Sequence, residues 1–147
     1  MDKKNILVLS AALVVVLLDQ LTKFLVRQNF QLGQSVPVIK NVFHLTYVTN
    51  TGSAFGIFKG MNFFFVLFSV IVIIGIFYYL KIIIKHDKKL QFAVGLLLGG
   101  TIGNLIDRLL HSAVIDFFDF RIWPVFNIAD SAVTVSIILL IILLWKK

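Results

Sequence analysis

The chain has 147 residues, of which 59% are hydrophobic and 14% are charged, against roughly 25% charged residues in soluble domains. It has no cysteine, a net charge of +7, and seven acidic residues that are all aspartate. This composition excludes a disordered protein, a disulfide scaffold and an ordinary soluble domain.

Four apolar segments are long enough, or nearly so, to cross a bilayer, whose hydrocarbon core takes about 20 residues of helix. They are residues 5–26, 60–80, 90–106 and 127–145. Because a backbone inside lipid must satisfy its own hydrogen bonds, each segment is predicted to be a helix. Lys3 and Lys4 before an apolar run are also typical of a signal peptide, but no small-x-small cleavage site follows the run. We therefore predict a single membrane domain over residues 1–147.

After the first span, residues 28–59 are predicted to contain a small sheet. Residues 36–39 and 42–48 are rich in β-branched and aromatic side chains, and Lys40-Asn41 between them is typical of a turn. The segment ends in a run around Gly52 whose composition permits tight backbone turns.

The second and third spans are joined by residues 81–89, a short basic loop that is predicted to be a solvated connection. Within the third span Gly95, Gly99 and Gly103 recur every four residues and therefore share one helical face. Such a face lets another helix approach closely, and we interpret it as a packing surface.

The distribution of lysine and arginine predicts how the spans are oriented. Both termini and the 81–89 loop lie on one side of a four-span chain, and that side carries dense, short clusters of lysine. Such clusters face the cytoplasm, which places residues 28–59 and 108–126 outside. Trp123 and Trp145, near opposite edges, fit interfacial anchors. Topology thus explains the basic charge, and no nucleic-acid partner is predicted.

Five of the seven aspartates fall in or beside the spans, and all five map to the outer membrane edge. They are Asp19, Asp107, Asp116, Asp119 and Asp130. Ionisable residues at membrane depth are costly, so they are candidates for function by default. Their position suits a site that handles a substrate from outside.

Other chemistries have less support. There is no thiol nucleophile, and His44, His86 and His111 are too far apart for a zinc motif, so neither a metal nor another cofactor is predicted. No glycine-rich phosphate loop is present. A serine–lysine pair of Ser53 and Lys23 stays open, although their spacing does not favour it.

Two carboxyl groups held close together can hydrolyse an amide without a metal or a covalent intermediate. Like charges a few ångströms apart cannot both ionise cheaply, so the pair shares one proton. The ionised carboxylate takes a proton from water while the protonated carboxyl polarises the carbonyl. The low dielectric at a membrane edge strengthens this coupling, and the pair titrates as a unit.

Five short motifs follow one another along the chain, each at the outer end of a predicted span. They are Asp19-Gln20-x-Thr22-Lys23, Asn50-x-Gly52-x-Ala54-Phe55-Gly56, Gly103-Asn104-x-x-Asp107-Arg108, Val114-x-Asp116-Phe117 and Pro124-x-Phe126-Asn127-x-Ala129-Asp130-Ser131. Together with four spans in so short a chain, they resemble the lipoprotein signal peptidase (signal peptidase II) family of bacterial aspartic peptidases. The resemblance covers nearly the whole chain.

The resemblance implies an enzyme that removes signal peptides from prolipoproteins, cleaving before a cysteine that already carries a diacylglyceryl group. Its partners would be those substrates and membrane lipid. The implied fold is a membrane all-α bundle of four transmembrane helices in the bacterial plasma membrane, with both termini cytoplasmic. A small extracytoplasmic β-cradle and a short interfacial helix complete it, and residues 28–59 fit that extra piece. The active site would lie at the extracytoplasmic face.

The resemblance further implies that Asp116 and Asp130 are the catalytic pair. The N-terminus of the fourth span favours the ionised form of Asp130. The residues implied to contact the substrate or to orient the two carboxyls are Asn50, Gly52, Asn104, Arg108 and Asn127.

Some of these positions also have a structural interpretation. Asn127 is a candidate N-cap of the fourth span. Asp19 and Lys23 are one helical turn apart and can form an ion pair that fixes the first span. Asp107, next to Arg108, is likewise predicted to give structural support.

Asp119 is the ambiguous acidic residue. It lies three residues from Asp116, so the two could share a helical face or both lie near the site, and spacing alone does not choose between them. Only the match of Val114-x-Asp116-Phe117 to the family favours Asp116 over Asp119 as a member of the catalytic pair. The sequence also departs from the family pattern, since Ser112 stands where glycine is usual and the stretch from Asp116 to Phe126 is shorter than expected.

Two other functions are compatible with an apolar chain of this size. A small transporter or proton conductor would place ionisable residues near the bilayer midplane and often shows inverted repeats. Here the middles of the spans carry no charge and the halves do not repeat. A noncatalytic scaffold held together by the glycine face would give no reason for five aspartates at one edge.

Overall fold

A computed structural model describes residues 5–52, 60–83 and 87–145 of the chain. Four helices and three strands follow one another in these residues. They are α1 (Ile6–Asn29), β1 (Ser35–Ile39), β2 (Phe43–Asn50), α2 (Asn62–Ile83), α3 (Lys88–His111), β3 (Val114–Asp119) and α4 (Ile128–Trp145). Each helix overlaps one of the four predicted spans.

The helices have the length and the surface of membrane segments. Within the described residues α1, α3 and α4 are long and apolar enough to cross a bilayer, and α2 is apolar over Asn62–Tyr78. Large apolar side chains stay exposed along them, among them Leu17 at 59% and Phe68 at 65%. A soluble monomer rarely exposes such continuous apolar surface, whereas lipid covers it. The fold is that of a mostly helical, multi-pass membrane protein.

Helix α3 packs against both α1 and α4 because glycines let their backbones approach. Gly95 and Gly99 face α1, and a Cβ added to Gly99 would lie 2.7 Å from the Ala12 carbonyl oxygen. Gly100 faces α4, where an added Cβ would lie 2.5 Å from the Ala129 carbonyl oxygen. The interpretation of the glycine face as a packing surface is therefore confirmed.

A three-stranded antiparallel sheet, in the order β1-β2-β3, lies outside the helices. Strands β1 and β2 are the two predicted from residues 28–59, and the turn between them holds Asn41 at a φ of 61°. Asparagine tolerates this left-handed conformation better than most residues, which explains why the turn forms at Lys40-Asn41.

The third strand comes from the second outer segment, residues 108–126, for which the sequence had suggested a helical face as one possibility. β3 instead pairs with β2, with Val48 opposite Asp116 and Asn50 opposite Val114. Alternating strand geometry puts residues three apart on opposite faces of a sheet. The possibility that Asp116 and Asp119 share a helical face is therefore wrong.

Part of the predicted outer structure lies outside the described residues. The interfacial helix that the family resemblance implied is not among the elements of the described residues. Residues 53–59, which include Ser53 and the end of the second motif, lie outside them.

The departure from the family pattern at Ser112 has a conformational consequence. Ser112 ends α3 in the left-handed conformation, with a φ of 57°, and its N–H donates to the Arg108 carbonyl oxygen at 3.1 Å. Glycine is the usual residue at such a helix end because it lacks the Cβ that makes this conformation costly.

We expect Ser112→Gly to raise the free energy of unfolding by about 0.5–1 kcal/mol, because it removes the left-handed strain at the end of α3. Thermal or denaturant unfolding of the purified protein in detergent measures this change. Ser10→Gly, the same substitution at a helical position of α1, is the matched control and should lower stability by a similar amount. A loss of stability in Ser112→Gly would contradict the prediction.

Candidate active site

Two aspartates meet where β3 and the first turn of α4 come together. Asp116 lies on β3 and is 2% exposed, whereas Asp130 lies in the first turn of α4 and is half-buried. Both carboxyl groups contact Asn127, the residue that precedes α4. A buried carboxyl beside a more accessible one is an arrangement in which the different environments push the pKa values of the two groups apart.

Asn127 connects the two aspartates and also begins α4. Its Oδ1 accepts from the Asp130 N–H at 2.8 Å, and its own N–H donates to Asp130 Oδ2 at 3.3 Å. This reciprocal pair is a capping box. The Asn127 Nδ2 donates to Asp116 Oδ1 at 2.7 Å. The cap predicted from the sequence and the contact with the aspartates are thus made by one side chain.

Two more asparagines complete the contacts of the carboxyl oxygens. Asn104 on α3 donates through Nδ2 to Asp130 Oδ1 at 2.7 Å. Asn50, the last residue of β2, donates through Nδ2 to Asp116 Oδ2 at 3.3 Å. Each of the four carboxyl oxygens therefore accepts from an N–H group, which fixes the orientation of both carboxyls.

Gly52 and Arg108 form the next layer of contacts. The Gly52 N–H donates to Asn50 Oδ1 at 2.9 Å, and the Arg108 guanidinium donates to the Gly52 carbonyl oxygen at 3.3 Å. The guanidinium carbon also lies 4.9 Å from the centre of the Phe65 ring on α2. Its positive charge acts on both Asp116 and Asp130. Arg108 thus joins the aspartates to the apolar surface of α2.

Burial and the neighbouring Asp130 carboxylate raise the pKa of Asp116 to about 7, against the ordinary value near 4. The hydrogen bonds from Asn50 and Asn127 act in the opposite direction but do not cancel the loss of solvation. Asp116 is therefore protonated below neutral pH. A carboxyl that keeps its proton in this range can act as a general acid.

The three residues predicted to give structural support form one buried ionic cluster. The Lys23 ammonium lies 2.8 Å from Asp19 Oδ2 and 2.9 Å from Asp107 Oδ2. All three side chains are at most 3% exposed. The ionic partner of Asp107 is thus Lys23 on α1, rather than its sequence neighbour Arg108.

Asp119 lies apart from the two aspartates. Its Oδ2 accepts from the Thr46 hydroxyl at 2.7 Å, and its carboxylate also accepts from the Arg121 N–H and guanidinium at 2.8 and 3.0 Å. Burial acts to raise the pKa of Asp119, but these hydrogen bonds outweigh it and hold the pKa below the ordinary value. Asp119 fixes the loop after β3 and does not join the pair.

Gln20 is a residue of the site region to which the sequence assigned no role. Its Nε2 donates to Asp107 Oδ1 at 3.0 Å, to the Gly103 carbonyl oxygen at 3.1 Å and to Asp19 Oδ2 at 3.2 Å. Its position directly after Asp19 in the first motif was the available signal. Gly103 is needed at this point because an added Cβ would lie 2.6 Å from Asp19 Oδ2.

Comparison with known proteins places the chain in a family. Residues 11–146 match the family model described as signal peptidase (SPase) II. The lipoprotein signal peptidase of Halothermothrix orenii is 47% identical over 136 residues, which cover 92% of each chain. That of Bacillus subtilis is 48% identical over 135 residues, covering 89% of this chain and 88% of the relative.

Two solved structures of a bacterial membrane enzyme, at 2.3 Å and 1.9 Å resolution, are also similar to the chain. They superpose with TM-scores of 0.90 and 0.87, each at 37% sequence identity. Both comparisons cover 95% of this chain, and they cover 87% and 93% of the respective structures.

Proposed function

Because the chain belongs to the signal peptidase II family of membrane aspartic peptidases, we propose that it removes signal peptides from diacylglyceryl-modified prolipoproteins. The bond cleaved is the one before the lipid-modified cysteine. The observation that carries the chemical part of this proposal is the bridge through Asn127, which contacts both the Asp116 and the Asp130 carboxyl.

Asp116 and Asp130 divide the work of amide hydrolysis. Asp130, at the positive end of the α4 dipole, is the ionised group that takes a proton from water as the water oxygen attacks the scissile carbonyl carbon. Asp116, whose raised pKa keeps it protonated, donates its proton to the carbonyl oxygen. The resulting gem-diol intermediate breaks at its C–N bond as Asp130 gives the proton taken from water to the leaving nitrogen, and Asp116 takes a proton back from a gem-diol hydroxyl, which restores both groups. Neither a metal nor another cofactor takes part.

The surrounding polar residues hold this pair and contact the substrate backbone. Asn50, Asn104 and Asn127 orient the carboxyls through the hydrogen bonds described above. Gly52 and Arg108 lie beside them, linked by a hydrogen bond, and are positioned to contact the extended peptide near the scissile bond. The Asp19–Lys23–Asp107 cluster supports the site from behind.

The proposed topology has four spans, with both termini in the cytoplasm and the aspartate pair at the extracytoplasmic face of the bacterial plasma membrane. The aspartates lie where β3 precedes α4, at the same end of the bundle as the sheet. In the sequence the clusters of lysine precede α1, occur around the junction of α2 and α3 and follow α4, which favours the cytoplasm for those ends of the chain. The extracytoplasmic segments are residues 28–59 and 108–126, and the whole chain is one membrane domain.

The lipid part of the substrate requires an apolar surface that opens toward the membrane. An open apolar groove runs along the first turns of α2, and its lining residues are Met61, Phe64, Phe65, Leu67, Phe68 and Ile71. Phe65 contacts Arg108, which in turn reaches Gly52 beside the aspartates. The diacylglyceryl chains can therefore stay in lipid along α2 while the peptide reaches Asp116 and Asp130.

The proposed substrate can be tested with the purified protein reconstituted in lipid. We expect cleavage of a synthetic prolipoprotein peptide whose cysteine carries a diacylglyceryl group, with the new N-terminus at that cysteine. The matched control peptide has the same sequence and an unmodified cysteine, and its cleavage should be at least about 100-fold slower because the lipid no longer anchors it. Mass spectrometry of the products identifies the bond. Equal cleavage of the two peptides would contradict the proposal.

The pH dependence of kcat/KM follows from the proton shared by the two aspartates. Activity requires one ionised and one protonated carboxyl, so we expect a bell-shaped profile. The alkaline limb should have its midpoint near pH 7, because above this value Asp116 loses the proton that it must donate. On the acidic side, activity should decline as the Asp130 carboxylate becomes protonated, because it can then no longer take a proton from water. Initial rates with the lipid-modified peptide in a constant-ionic-strength buffer measure both limbs, and a flat profile would contradict the mechanism.

A further inference from the structure

Lys23 makes two contacts beyond its ion pair with Asp19 within α1, one with Asp107 and one with Asn104. Its side chain is 2% exposed, and besides the two carboxylates it contacts Asn104 Oδ1, at 3.0 Å. An ammonium group has three N–H donors, so Asp19, Asp107 and Asn104 use all of them. These three partners belong to two helices. Each of them also contacts either Asp130 or the residue directly before one of the two aspartates of the site.

The two carboxylates held by Lys23 reach the main chain directly before the aspartate pair. Asp19 Oδ1 accepts from the N–H of Ala129, the residue before Asp130, at 2.9 Å. Asp107 Oδ2 accepts from the N–H of Ile115, the residue before Asp116, at 3.0 Å. One buried ammonium therefore holds two carboxylates, each of which fixes the backbone next to a different member of the pair.

The third contact of Lys23 sets the direction of an amide group. Because Asn104 Oδ1 accepts from Lys23 and also from Asn127 Nδ2 at 3.1 Å, its Nδ2 must point the other way. That direction leads to Asp130 Oδ1, 2.7 Å away. If the amide were reversed, its oxygen would face the Asp130 carboxylate and its NH₂ would face an ammonium, which is unfavourable at both ends.

We propose that Lys23 is a positioning residue that sets the separation and orientation of Asp116 and Asp130, acting through Asp19, Asp107 and Asn104. This role rests on the proposed function of the aspartate pair. The charged groups that act on or with Lys23 are Asp19 on its own helix, Asp107 on α3, Asp116 on β3 and Asp130 on α4. A purely structural ion pair would hold α1 in place without any effect on the chemistry of the pair.

The test requires variants that fold, and removal of Lys23 alone leaves two buried carboxylates without a cation. Lys23→Met is therefore combined with Asp19→Asn and Asp107→Asn, whose amide oxygens can still accept from the Ala129 and Ile115 N–H groups. Thermal unfolding in detergent establishes the folded fraction. We expect kcat with the lipid-modified peptide to fall at least about 100-fold while KM changes by less than about threefold, since the pair is misplaced but the substrate surface is intact.

A second triple variant provides the rescue. Lys23→Gln in the same Asp19→Asn and Asp107→Asn background restores an N–H donor that can face Asn104. We expect its kcat to be at least about tenfold higher than that of the methionine triple variant. Gln20→Met is the matched control, because Gln20 contacts the same two carboxylates but not Asn104. It should lower stability and leave kcat within about threefold of the parent value.

The outcomes separate the two proposals. If the methionine triple variant is folded and keeps the kcat of the parent protein, or if Gln20→Met lowers kcat equally, the role of Lys23 is overturned. Asp116→Asn and Asp130→Asn are measured in the same assay. Activity in either aspartate variant would overturn the aspartate pair itself. If both aspartate variants are inactive and the Lys23 variant is unaffected, only the positioning role of Lys23 is overturned.

Discussion

Asp116→Asn and Asp130→Asn should each lower the rate of prolipoprotein cleavage by at least about 10⁴-fold, while the protein is still made and inserted. Catalytic groups that act as a unit lose nearly all of their effect when one member is removed. An asparagine at 116 has no carboxyl proton to donate, and an asparagine at 130 cannot take a proton from water. The assay is cleavage of the lipid-modified peptide by purified, reconstituted protein, with the amount of folded protein measured in parallel.

The matched control for this prediction is Asp119→Asn, the same substitution three residues along β3. Asp119 accepts hydrogen bonds from Thr46 and Arg121 and makes no contact with either aspartate in the described residues. We expect a modest loss of stability and a cleavage rate within about tenfold of the parent protein. Retained cleavage in Asp116→Asn or Asp130→Asn would rule out the aspartate pair. Complete loss in Asp119→Asn would mean that the wrong partner was chosen or that Asp119 has a further role.

The helices and two of the strands could be predicted because they depend on local properties of the sequence. Long apolar runs have no alternative to helix in a membrane, and the β-branched residues around Lys40-Asn41 have a turn between them. β3 was harder to predict, because its strand character depends on pairing with β2, which lies more than 60 residues earlier in the chain. The spacing of Asp116 and Asp119 therefore could not decide between them, and only the match to the family motif selected Asp116. The strand puts the two residues on opposite faces.

The geometry of the site depends on contacts between elements that are distant in sequence. Asn127 could be recognised as a helix cap from its position alone, but its contact with Asp116 requires β3 to lie against the start of α4. Lys23 could be paired with Asp19 from their spacing, but its contacts with Asp107 and Asn104 depend on the close packing of α1 against α3. Motif spacing therefore identified the polar residues of this region, while their hydrogen-bond partners became visible only in the fold.

Membership of an enzyme family removes the need for the transporter and scaffold hypotheses. The scaffold hypothesis depended on a glycine face that would bind another molecule. In the fold Gly95 and Gly99 are covered by α1 of the same chain, and Gly103 lies against Asp19. The glycine face is thus used within the bundle, and what it makes possible is the close approach of α1 to the polar residues of α3.

This close packing leads to a prediction about a residue with no side chain of its own. Gly100→Ala should lower the free energy of unfolding by about 1–3 kcal/mol, because a Cβ there would lie 2.5 Å from the Ala129 carbonyl oxygen and 2.8 Å from a Val133 methyl carbon. The atom it meets first is main chain, so the first turn of α4 must move. Asp130 follows Ala129, and a shift of about 1 Å at a catalytic group costs about 100-fold in rate. Thermal unfolding in detergent and kcat with the lipid-modified peptide measure the two effects.

Gly75→Ala is the matched control, since the same methyl group on α2 would meet nothing within 4 Å. There the change should raise stability by about 0.5–1 kcal/mol through helix propensity, and kcat should not change. Loss of kcat in Gly100→Ala together with normal kcat in Gly75→Ala would show that the activity depends on how closely α4 approaches α3. If both variants behaved alike, the spacing of these two helices would not be what holds Asp130 in position. Its hydrogen bonds with Asn104 and Asn127 would then have to do so.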